Sequence, residues 1–142
     1  MNWALEVLTL AVGDVDKSLK FYTDQVGFTL DVDWQANERY RVVQLTPPGS
    51  ACSIQFGIGL TDATPGASRT TYLAVTDLAA AHRELTARGV PVGDLRHKAN
   101  LPDWQGDWAP GLEPDRLDYA SIFDFADPDG NTWVVQEIGY RG

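Results

Sequence analysis

One pattern occurs twice in this chain and restricts its fold more than any other feature. Leu10-Ala11-Val12-Gly13-Asp14 returns as Leu73-Ala74-Val75-Thr76-Asp77. Each copy closes an apolar run and opens a stretch of helical spacing, Val15 to Tyr22 in the first and Leu78 to Leu85 in the second. Each stretch then meets a glycine, Gly27 or Gly89, and passes into a new apolar alternation. A supersecondary unit used twice fixes the architecture before any single element is assigned.

The elements follow from periodicity and punctuation. Trp3 to Val12 predicts a strand, and Asp14 caps the helix after it by accepting an orphan backbone N–H. Leu19, Tyr22 and Val26 fall on one helical face, and Gly27 supplies the stop. Strands are expected at Phe28 to Gln35, Arg39 to Thr46 and Ala51 to Gly59, parted by Asn37-Glu38 and Pro47-Pro48-Gly49. After a linker at residues 61–68, the second unit opens with a strand from Thr70 to Val75. A helix from Leu78 to Arg88 follows, then strands at Val90 to Lys98, Tyr119 to Phe125 and Thr132 to Ile138. Asp127-Pro128-Asp129-Gly130-Asn131 is a turn signal between the last two. Residues 99–118 break the repeat with Pro102, Pro110, Pro114, Trp104 and Trp108. A loop this long is usually functional or disordered, and its tryptophans argue for order. The expectation is one domain, with module one at 1–60 and module two at 69–142.

Composition narrows the function classes. With 44% apolar residues and no apolar run long enough to span a bilayer, the chain reads as a globular, non-membrane protein. No secretory signal pattern precedes the first strand. The lone Cys52 suits a reducing, cytoplasmic compartment. A formal charge of −9 disfavours nucleic acid through phosphate repulsion and tolerates cationic ligands.

The run from Leu10 to Tyr22 with Val26-Gly27-Phe28, and the Phe125 to Asn131 run before a closing strand, resemble the vicinal oxygen chelate superfamily. That group includes glyoxalase I, bleomycin-resistance and fosfomycin-resistance proteins and extradiol dioxygenases. The resemblance covers nearly the whole chain. It implies an α+β fold in which two paired βαβββ modules form a curved mixed sheet around a cleft, with helices on the convex face. It also implies a homodimer. Alternation in the fourth strand agrees: Ile54 and Phe56 share a face suited to a helix, while Ser53, Gln55 and Gly57 share the other.

The resemblance further implies metal-ligand positions on the first and last strands of each module, and these match Val7, Gln55, Thr70 and Val134. Valine has no lone pair and a threonine hydroxyl binds divalent cations weakly, so three of the four lack a competent ligand. The expectation is no metal and no cofactor.

Five tryptophans are many for 142 residues. Aromatic walls suit planar or cationic ligands. The candidate binding residues are Trp34, Gln55, His97, Trp104, Trp108 and Tyr119, with Thr9, Thr70 and Gln136 as further cleft positions. His97 and Asp118 are the candidates for proton transfer. Three readings stay open: a metal-free protein binding a small aromatic or cationic molecule, a metal-independent isomerase or tailoring enzyme, and a metal-dependent lyase or dioxygenase with an atypical site.

Overall fold

A computed structural model describes all residues, Met1 to Gly142. The chain forms two compact units, Met1–Arg69 with Asp127–Asn131, and Thr70–Ala126 with Thr132–Gly142. Each carries a mixed sheet and a helix, an α+β fold in which the first unit is βαβββ and the second adds a fifth strand.

In the first unit β1 (Val7–Thr9), β2 (Thr29–Asn37), β3 (Tyr40–Thr46) and β4 (Ser53–Ile58) form a sheet in the order β1-β4-β3-β2. β1 runs parallel to β4, with Thr9 beside Gln55. This strand is shorter than Trp3 to Val12 because its partner supplies only Ser53 to Gln55, and the residues before it are exposed. Leu45, Val43, Ile54 and Phe56 form the buried face. Gly57 reads as uninformative in the sequence, yet a Cβ there would lie 1.8 Å from the Arg41 carbonyl oxygen. No other residue permits so close a strand approach.

α1 (Val15–Lys20) is capped by Asp14, whose carboxylate accepts from Lys17 N at 3.1 Å. The helix then widens into a π-helical stretch, Phe21–Val26, where the sequence predicts regular α-helix. Thr23 Oγ1 donates to the Leu19 carbonyl at 2.7 Å, competing locally for a helical acceptor. The widened turn buries both Phe21 and Tyr22. Tyr22 stacks on Phe28 and donates its hydroxyl to Asp127 Oδ2 at 2.8 Å. Asp127 also accepts from the backbone N–H groups of Asp129 and Asn131 at 2.9 Å each. The buried Asn131 donates from Nδ2 to the Ala11 carbonyl and accepts from Ser68 N. The Asp-Pro-Asp-Gly-Asn turn is thus a buried polar hub with satisfied partners.

The second unit orders its strands β5-β9-β8-β6-β7. They are β5 (Thr71–Val75), β6 (Arg96–Lys98), β7 (Trp108–Pro110), β8 (Ser121–Ala126) and β9 (Thr132–Glu137). α2 (Leu78–Ala87) is capped by Asp77, which accepts from Ala80 N at 3.0 Å. Its His82 is half-buried, edge-on to Phe123, with a ring nitrogen 3.0 Å from the Gly93 carbonyl oxygen. Trp133 is buried and stacked on Phe125.

In the second unit three expectations need correction. The strand expected over Val90 to Lys98 shrinks to Arg96–Lys98, leaving an isolated bridge between Val92 and Phe125. Pro91 lacks the N–H that a continuous ladder needs. The strand expected from Tyr119 begins at Ser121, because Tyr119 has φ 68°, which no strand accommodates. Residues 99–118 are not all loop: Trp108–Pro110 pairs with Arg96–Lys98 as an antiparallel hairpin edge.

Candidate functional site

A cavity of about 470 Å³ opens on one face of the second unit's sheet. Tyr72, Trp104, Trp108 and Tyr119 form its aromatic walls, and Ile122, Gln136 and Lys98 complete the lining. Register explains the grouping. Ala74 and Ile122 both lie beside Gln136, Arg96 lies beside Ile122, and Trp108 lies beside Lys98. Side chains on neighbouring strands at matched positions share a face. Tyr72, Gln136, Ile122, Lys98 and Trp108 therefore project from one side of the sheet. Trp133, Val135, Phe123 and Glu137 project from the other and are buried.

The two remaining walls come from irregular backbone. Trp104 has φ 56° and Tyr119 φ 68°, both left-handed. Residues held in that region cost roughly 1–3 kcal/mol each and persist only where the surroundings impose them. The support for Tyr119 is visible. Its N–H donates to the Glu137 carbonyl at 2.9 Å, and its own carbonyl accepts from Gln136 Nε2 at 3.0 Å. Trp104 N donates to the Asn100 carbonyl at 3.0 Å.

Residues 111–119, which deliver Tyr119, are anchored to the core by charge. Arg116 donates from Nε and Nη2 to the two carboxylate oxygens of the buried Glu137 at 2.7 and 2.6 Å. Its guanidinium lies 3.5 Å from the Tyr140 ring centre. Glu137 also accepts from Leu78 N at 2.8 Å, at the start of α2. The hydrogen bonds from Arg116 to Glu137 raise the arginine's pKa above its ordinary value. Glu113 is buried and accepts from the N–H groups of Asp115 and Leu117. Burial alone would raise its carboxyl, but those two N–H groups and the positive potential of His97 hold it below its ordinary value.

The electrostatics at Trp108 come from the strand beside it. Lys98 Nζ lies 4.6 Å and the Arg96 guanidinium carbon 5.1 Å from the indole centre. Arg96 is paired with Asp124 at 3.4 Å. Lys98 takes part in no ion pair.

Of the residues singled out in the sequence, the cavity gathers Trp104, Trp108, Tyr119 and Gln136. His97 does not line it. As the neighbour of Lys98 it takes the opposite face of β6, where Nδ1 meets the Gly111 carbonyl at 2.8 Å. Asp118 accepts from Gly139 N at 2.6 Å. Thr70 has φ 54° and donates its N–H to Thr132 Oγ1 at 2.8 Å. Trp34, Gln55 and Thr9 belong to the first unit. There Gln55 Nε2 donates to Thr9 Oγ1 at 2.9 Å, and the exposed Trp34 meets Tyr40 edge-on at 5.9 Å. Sequence reasoning missed Tyr72, Lys98 and Ile122. The alternation of β5 and β8 contained the signal for two of them, but only the β6–β7 hairpin turns Lys98 toward tryptophan.

The family's metal positions do not fit a divalent cation. In the first unit they present Val7 and Gln55, and in the second Thr70 and Val134. No group of three His, Cys, Asp or Glu side chains is arranged to hold an ion.

A profile of the Glyoxalase/Bleomycin resistance protein/Dioxygenase superfamily matches residues 4–135. A search of curated proteins finds no match. Among solved structures, the chain is similar to TnmS3, an antibiotic binding protein from Streptomyces sp. CB03234. The identity is 26% over 96% of both chains, with a TM-score of 0.71. It is also similar to a glyoxalase/bleomycin resistance protein from the same Streptomyces strain, at 26% identity over 94% of this chain and 100% of that one, with a TM-score of 0.69. A member of the superfamily from Sphaerobacter thermophilus DSM 20745 is 26% identical over 96% of this chain and 98% of that one, with a TM-score of 0.70.

Proposed function

The chain belongs to the Glyoxalase/Bleomycin resistance protein/Dioxygenase superfamily, and we propose that it acts there as a metal-free protein that binds a small aromatic molecule. The observation that carries this reading is the cavity of the second unit, walled by two tyrosines and two tryptophans. Aromatic walls give large contact area at low entropic cost, and each well-placed ring pair adds roughly 0.5–1.5 kcal/mol beyond burial. Similarity to an antibiotic binding protein supports the same class of role.

Binding is favoured over turnover by the cavity's chemistry. No carboxylate, imidazole or thiol lines it. His97 and Asp118, the groups suited to proton transfer, are both engaged with backbone partners. The donor-poor residues at the family's metal positions support a metal-free mode. Of the aromatic and cationic ligand classes, the cavity supports the aromatic, because Lys98 and Arg96 already lie over the Trp108 ring.

In this reading the protein works in the cytoplasm as a homodimer. The exposed Trp3, Leu5, Val32 and Trp34 of the first unit give a second copy apolar surface to cover. Incubation with an aromatic compound, with and without chelator, tests the binding role. Saturable depletion of free ligand, unchanged by chelator and without product, is expected. Chelator-sensitive product formation would overturn it.

A further inference from the structure

The cavity's single cation has no carboxylate partner. Lys98 Nζ is held 4.6 Å over the Trp108 ring while contributing to the cavity lining. Three acidic side chains of the second unit have other partners. Asp124 pairs with Arg96, Asp118 accepts from Gly139 N, and Asp103 accepts from Gln105 N. The indole face therefore stabilises the ammonium without neutralising it.

An ammonium has three donors and no acceptor. Gln136 commits one of its two Nε2 hydrogens to the Tyr119 carbonyl, so Lys98 is the cavity's only charged donor. A ligand cation entering here would meet Lys98, with Arg96 5.1 Å from the same ring. An anionic oxygen would meet a charge-assisted donor in a site partly shielded from water.

Resting on the binding reading above, we infer that the cavity is selective for planar aromatic compounds bearing an anionic oxygen, a carboxylate or phenolate, with Lys98 as the selecting group. The net charge of −9 makes this a local reversal of the molecule's overall field.

Calorimetric titration with naphthoate, naphthylmethanol and naphthylmethylammonium separates the two claims. Wild-type protein should bind naphthoate about tenfold more tightly than the ammonium compound, the scale of one charge-assisted hydrogen bond. Lys98→Met should abolish that preference, since methionine keeps an apolar stem and loses the charge. Lys98→Arg should retain it. Equal or tighter binding of the ammonium compound by wild type, or an undiminished preference in Lys98→Met, would overturn the inference and leave the aromatic-binding role standing. Should Lys98→Met fail to fold, the wild-type ranking and Lys98→Arg still decide. Absence of saturable heat with all three compounds would remove both claims.

Discussion

At Trp108 the backbone and the side chain do different work. The backbone completes the edge of a hairpin, while the half-exposed indole forms a cavity wall under two cations. Trp108→Ala should therefore reduce affinity for a planar aromatic ligand by roughly 10- to 100-fold, yet change unfolding free energy by less than about 2 kcal/mol. Fluorescence-independent titration and urea unfolding would check the two numbers. Asp127 is the opposite case. It holds Tyr22, Asp129 and Asn131 inside the first unit and lines no cavity wall of the second. Asp127→Ala should destabilise by about 2–4 kcal/mol, because it orphans a buried hydroxyl and two N–H groups. A loss below about 1 kcal/mol in urea would contradict the hub. The sequence identifies Asp127 only as a turn former, since the hydroxyl that meets it lies more than a hundred residues away.

Among the elements, the segment from Gly111 to Tyr119 decides whether the cavity has its fourth wall. Its two charged anchors, Arg116 with Glu137 and Glu113 with the N–H groups of Asp115 and Leu117, both lie on the buried side. Arg116→Met removes one partner of a buried pair and should cost about 3–5 kcal/mol in urea unfolding. Glu113 supplies a pH signature. Its folded pKa lies below its unfolded one, so its contribution is complete above the unfolded value and fades as pH falls through the folded value. Stability should decline below about pH 4.5, and Glu113→Gln should be less stable at neutral pH with a shallower acid decline. An identical decline in both proteins would contradict the assignment. The two helices and their caps were legible because an apolar stripe and a capping carboxylate are local signals. The pairing of β6 with β7 was not, because Trp108–Pro110 has too little alternation to show as a strand before its partner is known. Nor was the π-helical widening, which follows from fitting Phe21 and Tyr22 together in one core.

For the whole molecule, the internal repeat conveyed the architecture, and it also located the strand positions where the resemblance implies metal ligands. Residue types at fixed sheet positions are what a sequence preserves. The cavity was legible in half: its loop aromatics and Gln136 stand out by type, whereas Tyr72 and Ile122 read as ordinary strand residues until register places them. The homodimer expected of this chain is checked by sedimentation at micromolar concentration, where a species of twice the 15.6 kDa chain mass is expected and monomer alone would count against it. The central claim is that the aromatic cavity binds a planar aromatic molecule without metal. Calorimetric titration of chelator-treated protein with naphthoate tests it most directly. The account predicts saturable one-site binding that chelation leaves unchanged and Trp108→Ala largely removes. Binding that requires an added divalent ion, or that survives Trp108→Ala at full strength, would contradict it.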